Sequence, residues 1–136
     1  MTKKMRRGQC GCGEVKVETT GEPSSRLICN CKSCQKRTGS DYSNNVYFLH
    51  EHVKIYGKVN GHTRSAQEER TLTNFFCPKC GMTIYWAMEL DPKTTGVAVA
   101  VFDVDDFKTP KASIWEKYKR PWINFDSSII KIQNQT

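Results

Sequence analysis

The stretch Cys77-Pro78-Lys79-Cys80-Gly81 carries the strongest structural signal in this 136-residue chain. Two cysteines with a two-residue spacer turn the backbone so that both thiolates face one tetrahedral zinc ion, at about 2.3 Å per bond. Pro78 presets its φ angle at about −65°, and Gly81 tolerates the left-handed backbone after such a turn. Two free cysteines buried in a turn would need neither residue. The stretch, called the knuckle below, therefore predicts half of a zinc site.

The other five cysteines form two groups, Cys10-Gly11-Cys12-Gly13 (the first pair) and Cys29-Asn30-Cys31-Lys32-Ser33-Cys34 (the triplet). The glycines around the first pair let the backbone turn closely enough for both sulfurs to face one ion. Three thiols so close together are too dense for ordinary core positions, and they predict three ligands from one loop. Nearby Lys32, Lys36 and Arg37 favour thiolate over thiol through their positive charge.

Seven cysteines are one short of two closed four-cysteine sites, and spacing alone leaves the pairing open. One pairing joins Cys31 and Cys34 of the triplet with the knuckle as a zinc ribbon, and the first pair and Cys29 then have no role. The other joins the first pair with the knuckle and leaves the triplet as an open three-ligand site, the arrangement of catalytic zinc. We favour the second, because one short loop forms a preorganised, solvent-reachable site.

A closed triplet is the remaining alternative. A remote histidine would then complete the site as its fourth ligand, and the candidates are His50, His52 and His62.

Composition narrows the partners and the compartment. The formal charge of +7 would fall to about +4 with seven zinc-bound thiolates and two Zn²⁺ ions, because ligation deprotonates each thiol. Lysines and arginines are scattered, without the long basic run that would favour nucleic acid as a partner. No stretch approaches the roughly 18 apolar residues of a membrane span. The odd number of cysteines agrees with a reducing compartment, so we predict a cytoplasmic protein without a membrane partner.

Short runs of β-branched and aromatic residues predict a mainly β fold. The predicted strands include residues 14–18, 46–49, 53–56, 82–86 and 97–102. Turns are predicted at residues 21–25, 57, 60–61 and 91–96, and short helical turns only at 33–38 and 105–107. We expect one domain over residues 1–136, with a core at about 8–125, a short basic N-terminal tail, and a strand or loose tail at 127–136. A β domain this small would gain from metal cross-links between sheets.

The cysteine groups, together with Trp115 and Pro121-Trp122 near the end of the chain, resemble the glutathione-dependent formaldehyde-activating family. This family also includes the centromere protein V group. The resemblance extends over nearly the whole chain, from about residue 8 to about residue 125. It implies a mostly antiparallel, Mss4-like β-sheet domain (a β-tent) stapled by zinc. In that family the first pair and the knuckle hold a structural zinc, here Cys10, Cys12, Cys77 and Cys80, while the triplet holds a catalytic zinc.

The resemblance also implies two Zn²⁺ per chain and a carbon–sulfur lyase activity. The family joins glutathione and formaldehyde into S-(hydroxymethyl)glutathione, or reverses that step. We therefore expect a small thiol as substrate, with glutathione as the family's example, and a catalytic role for Cys29, Cys31 and Cys34. Lys32, Lys36, Arg37 and Trp122 are the candidate substrate-binding residues.

Two other functions fit the same residues. A non-catalytic protein could keep the structural zinc and use its basic surface for nucleic acid or protein, as the centromere group suggests. The same scaffold could also host a different zinc-dependent reaction, because one fold and one metal site support several chemistries.

Overall fold

The computed structural model describes residues 3–135, apart from the side chain of Gln67. Within residues 3–135 the chain forms eleven strands and one α-helix, with four single 3-10 turns between them. The strands are β1 Met5–Gln9, β2 Lys16–Thr20, β3 Ser25–Cys29, β4 Ser43–Leu49, β5 Val53–Tyr56, β6 Asn60–Ser65, β7 Thr71–Phe76, β8 Thr83–Met88, β9 Asp91–Ala98, β10 Ala112–Ile114 and β11 Ile130–Lys131; the helix α1 is Lys32–Thr38 and the 3-10 turns are His50–His52, Gln67–Glu69, Val99–Val101 and Glu116–Tyr118.

The strands form two sheets, which confirms the mainly β prediction. The small sheet has the order β1-β2-β5, and the large sheet has the order β11-β10-β3-β4-β9-β8-β7-β6. Most neighbours are antiparallel, but β10 runs parallel to both β3 and β11. The expected antiparallel sheet is therefore mixed at one edge. The reason is connectivity: β10 follows a long connection, so no tight hairpin imposes an antiparallel direction on it.

The main core lies between the two sheets. It is built from buried aliphatic and aromatic side chains, among them Val15, Val17, Val46, Phe48 and Ile84. Because side chains alternate along a strand, the inward residues Val46 and Phe48 of β4 leave Ser43, Asn45 and Tyr47 on the opposite face. Strand β4 therefore has a core face and a polar face.

Two predicted turns are strands in the structure. Asn60-Gly61 was expected as a hairpin turn, but Asn60 begins β6, which pairs with β7. Residues 91–96 were also expected as a turn, yet they belong to β9 between β4 and β8. Pairing on both sides outweighs their local turn preference. Pro92 is tolerated because it lies outside the β4 pairing, next to a register shift against β8.

The N-terminal tail prediction is wrong from Met5 onward, because β1 begins there. Arg6 is only 3% exposed, and it pairs with Glu22 and Asp106 while its guanidinium lies 4.3 Å from the ring centroid of Phe107. Residues 105–107 form no helix, and Asp106 is held in this ion-pair network instead.

The C-terminal segment 127–136 contains a two-residue strand. Strand β11, Ile130–Lys131, pairs with β10, the other described residues of the segment form turns and irregular backbone, and Thr136 lies outside the described residues. The strand predicted at 97–102 ends at Ala98, where a 3-10 turn follows. Among the described residues, no helix combines the length and apolarity that a membrane crossing needs.

Candidate metal centres

The first pair and the knuckle come together in one cluster of four thiols, called the four-cysteine cluster below. Their Sγ atoms all lie within 4.8 Å of one another, and the Cys10–Cys12 and Cys12–Cys77 Sγ distances are both 3.7 Å. A tetrahedron with zinc–sulfur bonds of about 2.3 Å has edges of about 3.8 Å. Disulfides would need an S–S distance of about 2.05 Å, and all seven cysteines are free. The geometry therefore suits a metal ion.

Two hairpins build this cluster. The first pair lies in the turn between β1 and β2, and the knuckle lies between β7 and β8, so the cluster joins the small sheet to the large one. Gly13 and Gly81 have φ angles of 83° and 79°, which only glycine adopts without strain. The cluster thus links distant parts of the chain through turns that the glycines allow.

Backbone amides favour the thiolate form in this cluster. Burial opposes ionisation of Cys10, but the amide of Val15 donates to its Sγ at 3.3 Å, and such hydrogen bonds lower the pKa of Cys10 to about 6. The Cys80 amide donates a hydrogen bond to the Sγ of Cys77 at 3.4 Å. These amides would stabilise bound thiolates and orient them toward a cation.

The triplet forms a second, separate cluster. Cys29 ends β3, Cys31 is the N-cap of α1, and Cys34 lies in the first turn of that helix. Their Sγ atoms also lie within 4.8 Å of one another, and the Cys34 amide donates to the Sγ of Cys31 at 3.3 Å. The ribbon pairing, in which two triplet cysteines would join the knuckle, is not formed.

Two side chains that the sequence analysis did not single out hold the triplet loop. The Asn30 side-chain amide is fully buried and donates to the Ser113 hydroxyl and the Ile114 carbonyl of β10, both at 2.8 Å. The Gln35 side chain donates to the Asn30 carbonyl at 2.8 Å. The sequence offered only a weak signal for either, because Asn and Gln beside cysteines are common in loops. Together they fix the loop before any metal binds.

The three triplet thiols titrate as one coupled group. Hydrogen bonds from the Cys29 and Cys31 thiols lower the pKa of Cys34. Hydrogen bonds with Cys31 and Cys34 raise the pKa of Cys29, and burial raises it further. One of the three thiols therefore loses its proton readily, and the last one to ionise resists losing its proton. A bound cation would supply the positive charge that three adjacent thiolates need.

The histidine alternative for the triplet finds no support. Among the described residues, the two clusters that could hold a metal contain cysteines alone. The His50 ring forms a hydrogen bond with the Thr95 hydroxyl at 2.9 Å instead.

A cavity of about 450 Å³ lies beside the triplet. All three triplet cysteines line it, and no member of the four-cysteine cluster does. Leu72, Trp86 and Met88 of the β7–β8 hairpin form an apolar wall. Asn45 and Tyr47, from the polar face of β4, line it as well. The two clusters therefore differ in surroundings as well as in ligand number.

The polar face of β4 carries hydrogen-bonding groups with spare capacity. The Asn45 side chain donates to the Tyr47 hydroxyl at 3.2 Å. Burial raises the pKa of Tyr47 to about 12, so the phenol stays protonated at neutral pH. The buried Oδ1 of Asn45, which lines the cavity, has no hydrogen-bond partner among the described residues. Buried polar atoms are almost always paired, so this oxygen points to a polar group or water in the cavity.

Of the four candidate substrate-binding residues, the structure brings only Arg37 to the cavity. Its guanidinium lies 4.8 Å from the ring centroid of Trp86. Lys32 instead lies 5.7 Å from the Tyr118 ring centroid, Lys36 is exposed, and Trp122 is 68% exposed. None of these three lines the cavity.

Two further arginines line the cavity, Arg64 at the end of β6 and Arg70 just before β7. No local sequence signal marks them, because they lie thirty or more residues from the triplet and only the sheet order brings them near. Trp115, one of the residues on which the family resemblance rests, also lines the cavity.

Comparison with known proteins identifies the family. The family model described as glutathione-dependent formaldehyde-activating enzyme matches residues 5–118. A crystal structure of a Rhodobacter sphaeroides protein, a structural-genomics target, is similar with a TM-score of 0.58 and 19% sequence identity, over 74% of this chain and 91% of that one. At that identity the likeness concerns the fold. A search of curated proteins finds no match. The chain belongs to the glutathione-dependent formaldehyde-activating enzyme family.

Proposed function

We propose that this chain is a zinc-dependent enzyme that makes or breaks the carbon–sulfur bond between a small thiol and an aldehyde. The product would be of the S-(hydroxymethyl)glutathione type, and the reaction site would be the triplet. The observation that carries this proposal is the position of the triplet on the wall of a 450 Å³ cavity, while the four-cysteine cluster lies away from it. A reaction site must be reachable by substrate, and a structural site need not be.

Zinc fits the donors of both clusters, because thiolates are its preferred ligands in small β domains. Cys10, Cys12, Cys77 and Cys80 would hold a structural ion, and Cys29, Cys31 and Cys34 a second ion with one position left for substrate. When bound there, zinc would favour the thiolate form of the substrate sulfur. A reducing cytoplasm would keep all seven cysteines available as ligands.

The chain's own residues would bind and orient the reacting groups. In the synthetic direction a sulfur lone pair forms the carbon–sulfur bond, and the carbonyl π pair moves onto the oxygen. That oxygen takes up one proton, which balances the proton that the thiol has lost. We assign the Tyr47 hydroxyl as the hydrogen-bond donor to this oxygen, with Asn45 orienting Tyr47 through its 3.2 Å hydrogen bond. Donors aimed at a developing oxyanion lower the barrier to such additions.

Adduct formation from ¹³C-formaldehyde and glutathione, followed by NMR exchange spectroscopy, tests this proposal. We expect exchange faster than the uncatalysed background with the zinc-loaded protein, and background rates with Cys31→Ser. Equal rates for the two proteins, or no rate above background, would rule out this reaction at the triplet.

A further inference from the structure

We propose that the cavity beside the triplet binds a thiol with an apolar body and an anionic group, such as a carboxylate, at its far end. This inference rests on the proposed function in one respect, that the thiol end of the ligand meets the triplet. It departs from the glutathione of the family's description, whose body is a polar peptide.

Size is the first argument. The cavity measures about 450 Å³, which lies in the range of about 300–1,000 Å³ that is usual for small-molecule sites. A one-carbon aldehyde would fill only a small part of it. The thiol partner must therefore occupy most of the space. The chemistry of the lining residues thus indicates the chemistry of that thiol.

The apolar wall is the second argument. Leu72 lies opposite Met88 in the β7–β8 register, so both present their side chains on the same face beside Trp86. Leu90, which is 51% exposed, continues this surface outward. Peptide amides against such carbon would lose hydrogen bonds to water without replacement, whereas a hydrocarbon body would gain from burial.

Trp86 is held as a rigid part of that wall. It pairs with Gly96 of β9, and a Cβ atom at position 96 would lie 2.0 Å from its indole nitrogen. Only glycine therefore lets the ring lie across β9. The Tyr47 ring meets it edge-on at a centroid distance of 6.2 Å. A preorganised aromatic surface favours an apolar ligand, because no side chain must be ordered on binding.

Charge is the third argument. Three arginines, Arg37, Arg64 and Arg70, line the cavity, and none of its described lining residues is Asp or Glu. Glu68 and Glu69 immediately precede Arg70 in the chain but lie outside the lining. Among the described residues, neither Arg64 nor Arg70 forms an ion pair. Guanidinium groups bind carboxylates with two parallel hydrogen bonds, so Arg64 and Arg70 suit an anionic end group, while Arg37 lies on α1 with its guanidinium 4.8 Å from the Trp86 ring centroid.

The two functional ends come from different parts of the fold. The thiol end belongs to the β3–α1 loop, which carries the triplet, and the anionic end to the β6–β7 connection, which carries Arg64 and Arg70. The apolar wall of β7 and β8 lines the same cavity. A mercapto-carboxylate with a hydrocarbon body matches all three features.

Calorimetric titration of the zinc-loaded protein with three thiols tests this proposal. The probes are 6-mercaptohexanoate, 6-mercaptohexanol, which lacks the charge, and glutathione, which lacks the apolar body. We expect 6-mercaptohexanoate to bind about tenfold more tightly than 6-mercaptohexanol, as a charge-assisted hydrogen bond would provide. It should also bind about tenfold more tightly than glutathione, because only its hydrocarbon body gains from burial against the apolar wall. Equal or tighter binding of glutathione would overturn the proposal.

The arginines are tested in the double variant Arg64→Gln/Arg70→Gln, with Arg7→Gln on the small sheet as the matched control. The double variant should lose the tenfold preference for 6-mercaptohexanoate over 6-mercaptohexanol, and the control should keep it. A preference that survives the double variant would contradict the assignment. If that variant fails to fold, the single Arg70→Gln variant replaces it, because Arg70 is exposed.

Hexanoate, which has no thiol, separates this proposal from the proposed function. It should bind to both the wild type and Cys31→Ser, and the arginine variants should weaken it. If hexanoate and 6-mercaptohexanoate behave as expected while the NMR experiment shows no catalysis, the cavity assignment stands and the reaction falls. If catalysis occurs but glutathione binds best, the proposed reaction stands and the cavity assignment falls.

Discussion

The four-cysteine cluster draws its ligands from two hairpins, with Cys12 and Cys77 separated by 65 positions in the chain. The triplet takes its three ligands from one short loop and the start of a helix. A metal in the first cluster closes a long loop and joins two sheets, whereas a metal in the second closes almost none of the chain. The same ligand chemistry can therefore contribute very differently to stability, and the difference follows from where the ligands lie.

The largest effect is expected for Cys77→Ser, which removes a fully buried ligand of the four-cysteine cluster. Structural zinc contributes about 10–16 kcal/mol in small domains, as much as the usual whole stability of about 5–15 kcal/mol. We therefore expect no cooperative thermal transition in the near-ultraviolet circular dichroism of this variant. A melting temperature close to that of the wild type would show that the two sheets hold together without this cluster.

A smaller effect is expected for Gly96→Ala, which disturbs the cavity and leaves both clusters intact. The added methyl group would lie 2.0 Å from the Trp86 indole, so the free energy of unfolding should fall by about 1–3 kcal/mol. Binding of 6-mercaptohexanoate should weaken with it. Gly11→Ala is the matched control beside the four-cysteine cluster, because its Cβ would meet Cys80 Sγ at an ordinary 3.8 Å. Equal stability and equal binding of 6-mercaptohexanoate in the two variants would show that the Trp86 ring does not contribute to the binding surface.

Tyr47→Phe should separate catalysis from stability. Loss of the hydroxyl removes the proposed donor to the substrate oxygen, and we expect the exchange rate to fall about 100-fold. The free energy of unfolding should change by about 1 kcal/mol, because Asn45 loses one acceptor. Tyr56→Phe, on an exposed residue of the small sheet, serves as the control in the same NMR assay. An unchanged rate in Tyr47→Phe would exclude the hydroxyl from the reaction.

The smallest effect concerns the ion pairs at the start of β1, in the small sheet that the four-cysteine cluster joins to the large one. Hydrogen bonds from Lys4 and Arg6 hold the pKa of Asp106 below its ordinary value of 3.8. A lowered pKa in the folded state stabilises the fold above the unfolded pKa, and this contribution disappears as the pH falls through the folded pKa.

Asp106→Asn should therefore lower the urea midpoint slightly at pH 6, and its difference from the wild type should shrink below pH 3.8. The exposed neighbour Asp103 forms no ion pair among the described residues, so Asp103→Asn should change neither value. A difference that stays constant with pH would contradict this assignment.

Much of the fold and of the metal centres could be predicted because cysteine spacing is a local property. Residues 77–81 predict a zinc knuckle wherever they lie in a fold. Strands 46–49 and 53–56 were also predictable from their β-branched and aromatic residues. Residues 91–96 were not, because their turn-forming composition is overruled by pairing with β4 and β8.

The cavity could not be predicted, because sheet order assembles it. Tyr47, Arg64 and Trp86 meet around the triplet although each lies on a different strand. The charges nearest the triplet in sequence, Lys32 and Lys36, lie away from the cavity instead. Neighbours in sequence were a poor guide here because α1 carries these two side chains elsewhere.

Zinc stoichiometry and thermal unfolding of Cys31→Ser test the division between the two clusters most directly. Cys31 is the N-cap of α1 and accepts a hydrogen bond from the Cys34 amide, and serine keeps an acceptor at that position. The substitution therefore removes a metal ligand and little else. We predict that bound zinc falls from two ions to one per chain while the cooperative transition is retained. Two retained zinc ions, or loss of the fold, would contradict the division of roles.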